Sequence, residues 1–180
     1  STAMTRVLLA DDEPLVLIGM QSMLDWNALG YELVGTARNG GEALEKIDEL
    51  QPDIVVSDIR MPVLDGLQLA ARVHEQYGPL PVFIMLTSYE EFDYVRRSMG
   101  LGAVDYLIKM DLTADGLREA LERARTAIEK EKALRAPAPP APGSLESYRE
   151  RFFIQLYSGA FPNDEVIRTY CRELGLKPDA

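Results

Sequence analysis

Cysteine and histidine are nearly missing from this chain. One cysteine, Cys171, and one histidine, His74, stand among 180 residues. An intramolecular disulfide is therefore excluded, and a zinc site built on Cys and His has too few ligands. Long apolar runs are missing too. No stretch reaches the roughly 20 residues that a membrane-crossing helix requires, and the N-terminus has neither the charged nor the apolar region of a signal peptide. With one cysteine and no export signal, the expectation is a cytoplasmic chain with no membrane partner. Basic charge is the third scarcity: 19 Lys and Arg face 29 Asp and Glu, a formal net charge of −10. Residues 1–112 hold 8 of the 19 bases and 18 of the 29 acids. The first part thus carries the whole imbalance and no basic footprint for nucleic acid.

What is present is a regular alternation. Short apolar, β-forming runs near 6–10, 31–36, 54–58, 81–86 and 104–108 are separated by amphipathic segments near 14–27, 40–50, 65–77 and 90–100, with a fifth from 113 onward. That is the pattern of βα units around a parallel sheet. Breakers mark the boundaries: Pro14 suits a first helical turn, Gln51-Pro52 ends the second helix, and Gly78-Pro79 leads into the fourth strand. Thr113 is a good N-cap for the fifth helix, whose composition stays helix-favouring to about Arg135. His74, on the third helix, reads as a surface or helix-packing residue.

The strand ends carry the chemistry. The first run closes on Asp11, Asp12 and Glu13, and the third closes on Asp58. If these two strands are parallel neighbours, the carboxylates meet at one sheet edge and disfavour each other's ionised form. A divalent cation relieves that repulsion, and Mg²⁺ suits best, because it takes oxygen ligands from one or two carboxylates plus phosphate oxygens. The fourth strand stops at Thr87-Ser88 and the fifth at Lys109, adding a hydroxyl and an ammonium able to hold phosphoryl oxygens. Phosphoryl transfer asks a protein mainly for positioning and charge neutralisation. Asp58 is left as the nucleophile.

Asp11-Asp12, Asp58, Thr87 and Lys109 in this order, with Asp58-Ile-Arg-Met-Pro62, Asp65-Gly66 and Gly102-Ala-Val-Asp-Tyr106, resemble a response-regulator receiver domain over roughly residues 5–130. The resemblance implies an α/β, flavodoxin-like, doubly wound parallel sheet of five strands in order 2-1-3-4-5. It further implies that Asp58 is the phosphoacceptor, and that Asp12, Asp58 and the backbone carbonyl of Arg60 hold Mg²⁺, with Asp11 acting largely through water. Thr87 and Lys109 would grip the phosphoryl group, and Tyr106 would turn inward as Thr87 moves. Such a protein modifies itself and is not a turnover enzyme. Its partner is a sensor histidine kinase, and dimerisation often uses the face of the fourth helix, fifth strand and fifth helix. One departure stands out: Met110 follows Lys109 where the family usually has proline.

Leu29-Gly-Tyr-Glu-Leu-Val-Gly-Thr-Ala-Arg-Asn-Gly40, with Thr87-Ser-Tyr-Glu-Glu-Phe92, is similar to the YesN-type branch, whose members usually carry an AraC-type helix-turn-helix DNA-binding domain. The expected organisation is a cloning remnant at 1–4, a receiver with an extended fifth helix at 5–135, a Pro/Ala-rich linker at 136–144, and at 145–180 a helical appendage that starts a truncated output region. DNA contact would then belong to a missing domain. Arg60 and Tyr89, each two residues past a site residue, are expected to shield an acyl phosphate from water. Two other functions are a receiver-like interaction module that works without phosphorylation and a phosphatase of the haloacid dehalogenase type. The latter is disfavoured because Asp11-Asp12-Glu13 lacks the spaced Asp-x-Asp signature.

Overall fold

The computed structural model describes residues 3–97 and 104–136. Five strands, β1 (Thr5–Ala10), β2 (Tyr31–Ala37), β3 (Ile54–Asp58), β4 (Val82–Thr87) and β5 (Val104–Ile108), alternate with five helices, α1 (Pro14–Met23), α2 (Gly40–Leu50), α3 (Gly66–Tyr77), α4 (Phe92–Arg97) and α5 (Ala114–Arg135). All strand pairs are parallel, in the order β2-β1-β3-β4-β5. The parallel βα sheet expected from the alternation, and the doubly wound order implied by the resemblance to receiver domains, are therefore the observed ones. Every residue of β3 and β4 is buried, because helices cover both faces of the sheet. One apolar layer joins Val7, Leu9, Ile54, Val56, Ile84 and Leu86 to α1 and to Leu117, Leu121 and Ile128 of α5. The opposite layer joins Leu8, Val55, Phe83 and Met85 to Ile47, Leu69, Val73 and Val95 of α2, α3 and α4.

Local chemistry sets the helix boundaries. Pro14 occupies the first turn of α1, where a missing N–H costs nothing. Asn39 caps α2 by accepting from the Glu42 amide at 2.8 Å, and Asp65 with Gln68 forms a reciprocal capping box on α3. Thr113 accepts from the Gly116 amide at 3.0 Å, as its N-cap reading required. α1 is shorter than the expected 14–27. Leu24 turns extended, and the chain folds back so that Trp26 enters the core while its indole donates to the Met20 carbonyl at 3.2 Å. Burial of one aromatic ring here outweighs helix propensity. α5 keeps no buried residue after Ile128, so its last turns are a solvated extension. His74 meets Phe83 edge-on, with ring centroids 5.7 Å apart, in keeping with its packing reading.

The last residues of the expected fourth helix, Gly102-Ala103, residues 1–2, Cys171, and the linker and appendage readings beyond residue 136 lie outside the described residues.

The register brings the strand ends together. Ala10 pairs with Ser57, so Asp11 and Asp58 follow side by side, and Thr87 pairs with Ile108, so Lys109 follows one step later. Gly66 locks this edge to α3: its amide donates to the Ile59 carbonyl at 2.8 Å, and a Cβ there would stand 2.4 Å from the Asp58 carbonyl oxygen. Gly19, in α1, has nothing within 4 Å of such an atom. The same substitution should therefore act with opposite sign at the two sites. In urea denaturation, Gly66→Ala should destabilise by about 1–3 kcal/mol through forced displacement, whereas Gly19→Ala should stabilise by up to about 1 kcal/mol through helix propensity.

Candidate functional site: an acidic cleft closed by a lysine

β1 and β3 end as fully buried strands, so the acids that follow them start inside the protein. Asp11 is 0% and Asp58 7% exposed. Burying carboxylates is costly unless a counter-charge meets them, and here Lys109 does. Its ammonium lies 3.1 Å from Asp58 Oδ2, 3.3 Å from Asp11 Oδ1 and 2.8 Å from Glu13 Oε1. Lys109 opens a 3-10 turn, Lys109–Asp111, directly after β5. The only cis peptide among the described residues is Leu80–Pro81, so the Lys109–Met110 bond is trans without the proline usual in the resembling family.

Electrostatics follow from this packing. Burial, reinforced by the neighbouring Asp11 carboxylate, raises the Asp58 pKa to about 6 in spite of Lys109. Asp11 is raised as well, chiefly by burial, against the Glu13 amide and Lys109. For Lys109, burial alone would lower the pKa, but hydrogen bonds to Glu13, Asp11 and Asp58 prevail and raise it, so the ammonium stays charged.

The cluster suits a hard cation. Oxygens of Asp11, Asp12, Glu13 and Asp58 lie within 4.8 Å of one another. Asp11 Oδ2 is buried and accepts no hydrogen bond, although Lys109 Nζ stands 3.0 Å away. An all-oxygen set with an orphaned buried carboxylate oxygen fits Mg²⁺ by its donor chemistry. The mouth is a cleft of about 380 Å³ lined by Asp12, Glu13, Asp58, Arg60, Ser88, Glu90, Glu91 and Lys109.

The remaining residues singled out from sequence take distinct places. Thr87 is buried at the end of β4, and its hydroxyl donates to the Ser88 carbonyl at 3.0 Å. Ser88 Oγ accepts from the Glu91 amide at 3.2 Å, steadying the turn into α4. Arg60 pairs with Glu91, and the Tyr89 hydroxyl donates to Asp111, so the loops after β3, β4 and β5 are cross-tied at the rim. Tyr106 is half-buried and meets Phe92 edge-on at 4.9 Å between centroids, outside the cleft lining. Sequence reading did not single out the reach of Glu13 to Lys109, nor Glu91 and Asp111 as rim partners. It also missed Val63, which holds φ +72 in a tight turn closed by the Leu64 amide on the Pro62 carbonyl at 2.8 Å. A β-branched residue at positive φ is an outlier costing on the order of 1–3 kcal/mol. The turn sits in the loop that carries Arg60, and it packs on Gly40, whose amide donates to Pro62 at 3.2 Å.

Comparison with known proteins agrees with this geometry. The family model described as response regulator receiver domain matches residues 7–122. The chain is 44% identical over 106 residues to the uncharacterized transcriptional regulatory protein YesN of Bacillus subtilis, a match spanning 59% of this chain and 28% of that protein. It is 42% identical over 170 residues to the positive alginate biosynthesis regulatory protein of Pseudomonas aeruginosa, spanning 90% of this chain and 64% of that one. These matches take in less than two thirds of the length of either relative. The REC domain of AraT, a response regulator from Geobacillus stearothermophilus, superposes with a TM-score of 0.64 at 35% identity, covering 71% of this chain and 97% of that domain. The family match, the strand order and the lysine-closed acidic edge together make this chain a member of the response regulator receiver family of two-component systems.

Proposed function

We propose that the chain is the phosphorylation-controlled receiver of a phosphorelay, taking a phosphoryl group onto Asp58 from the phosphohistidine of a sensor histidine kinase. The observation that carries this reading is the meeting of Asp58, Asp11 and Lys109, from three strand ends, around one ammonium. In the transfer, an Asp58 carboxylate oxygen forms the new P–O bond as the P–N bond of the donor breaks, and the imidazole leaves with the electron pair. Lys109 holds a phosphoryl oxygen. Mg²⁺, held by Asp11, Asp12, Asp58 and the Arg60 carbonyl, would neutralise charge on the transferring oxygens. Self-modification and slow hydrolysis of the acyl phosphate are the whole chemistry, so the protein is its own substrate rather than a turnover enzyme.

The output follows from the same site. Thr87, whose hydroxyl is bonded to the Ser88 carbonyl, would exchange that partner for a phosphoryl oxygen, and Tyr106 would turn inward from Phe92. The face of α4, β5 and α5 would then pair with a second copy. DNA binding would fall to an AraC-type domain outside this chain, in a cytoplasmic transcriptional regulator.

Intact-mass measurement should show one phosphate from acetyl phosphate, lost with a chelator or in Asp58→Asn. An unlabelled parent would favour an interaction module that works without phosphorylation. In the same assay the label should decay several-fold faster in Arg60→Ala/Tyr89→Ala, because the cross-tied rim no longer excludes water; an unchanged lifetime would refute the shielding role. Light scattering should show greater association with beryllofluoride than without it, and a monomer under both conditions would count against pairing. Stability should carry the signature of the nucleophile. With a folded pKa of about 6 against an ordinary value of 3.8, ionised Asp58 destabilises the fold increasingly from about pH 4 to pH 6, and by a constant amount above. Asp58→Asn should thus gain on the order of 2–3 kcal/mol at pH 7, and denaturation curves should show that gain vanishing near pH 4.

A further inference from the structure

Glu13 is given no role in the proposed transfer, yet it makes the shortest contact of the Lys109 ammonium, 2.8 Å against 3.0 Å to Asp11 Oδ2, 3.1 Å to Asp58 Oδ2 and 3.3 Å to Asp11 Oδ1. An ammonium has three N–H donors, so its capacity is filled by carboxylates. Those carboxylates differ in position. The side chains of Asp11 and Asp58 are 0% and 10% exposed, whereas that of Glu13 is 63% exposed at the mouth of the cleft. Glu13 also stands at the N-cap position of α1 without making a side-chain cap bond. Its amide is fixed on Asp11 Oδ1 at 2.9 Å, and its carboxylate is turned across to the ammonium.

A divalent cation on Asp11 and Asp58 shares their oxygens with the ammonium, and two cations on the same carboxylates repel. Lys109 therefore competes with the cation unless another acceptor draws it outward. We propose that Glu13 is a positioning residue for Lys109: it pulls the ammonium toward the mouth as a divalent cation takes Asp11 and Asp58, and keeps it where an incoming phosphoryl group arrives. This rests on the reading of the acid cluster as the cation and phosphoryl site. It separates Glu13 from the cation ligands, since Glu13 acts through the lysine.

Calorimetric titration with magnesium chloride tests the idea in the parent, Glu13→Gln, Lys109→Met and the double variant. Lys109→Met should bind Mg²⁺ more tightly than the parent, and Glu13→Gln should bind several-fold more weakly. The loss caused by Glu13→Gln should be at least threefold smaller in the Lys109→Met background, because the residue it acts through is gone. An equal or greater loss in that background would make Glu13 a direct ligand and overturn the proposal. No loss in either background, or a parent that binds no Mg²⁺, would overturn it as well. The titration needs no phosphoryl transfer. Failure of Asp58 to take phosphate is therefore a separate result, bearing on the receiver chemistry and not on this coupling.

Discussion

One ammonium among three carboxylates is the interaction on which the site depends. Asp11 and Asp58 emerge from strands buried on both faces, and a single sheet edge cannot hold two such charges uncompensated. Lys109 arrives from β5, two strands away from β3, so the compensation is available only when the whole parallel sheet has formed. Fold and site are thus coupled. Loss of register in β5 would separate the lysine from its acids, and the buried acids would then favour their protonated forms.

The same arrangement explains why the edge is poised rather than maximally stable. Asp58 is raised to about 6 by burial and by Asp11, so at neutral pH it is mostly ionised at a cost to the fold. A group that relieves this cost on binding gains affinity from it, and a hard cation does so through charge. Around the acids, the rim residues Arg60, Glu91, Tyr89 and Asp111 tie three loops to one another, which links any movement after β4 to its neighbours. Thr87 and Tyr106 stand on adjacent strands, β4 and β5, where a change at the cleft can reach the α4–β5–α5 face.

Much of this was legible in the sequence because strand ends in a parallel sheet are aligned by hydrogen-bond register. Period and breakers located the strands and put the acids, hydroxyl and lysine at strand ends, while the order that makes the first and third strands neighbours came from the resemblance to receiver domains. The caps at Asn39, Asp65 and Thr113 are local chemistry and read in the same way. Long-range competition was not legible. The end of α1 depends on where Trp26 finds a pocket, and the positive φ of Val63 has no glycine or asparagine to announce it. The reach of Glu13 to Lys109 spans 96 residues, and only the assembled sheet brings the two together.

The central claim is that Lys109 is the counter-charge that keeps a buried Asp58 ionisable. Carbon-13 NMR titration of the Asp58 carboxyl in the parent and in Lys109→Met tests it most directly. A midpoint near 6 in the parent, moving clearly upward when the lysine is removed, is the result this account requires. A midpoint in the ordinary carboxylate range, or one that Lys109→Met leaves in place, would contradict it.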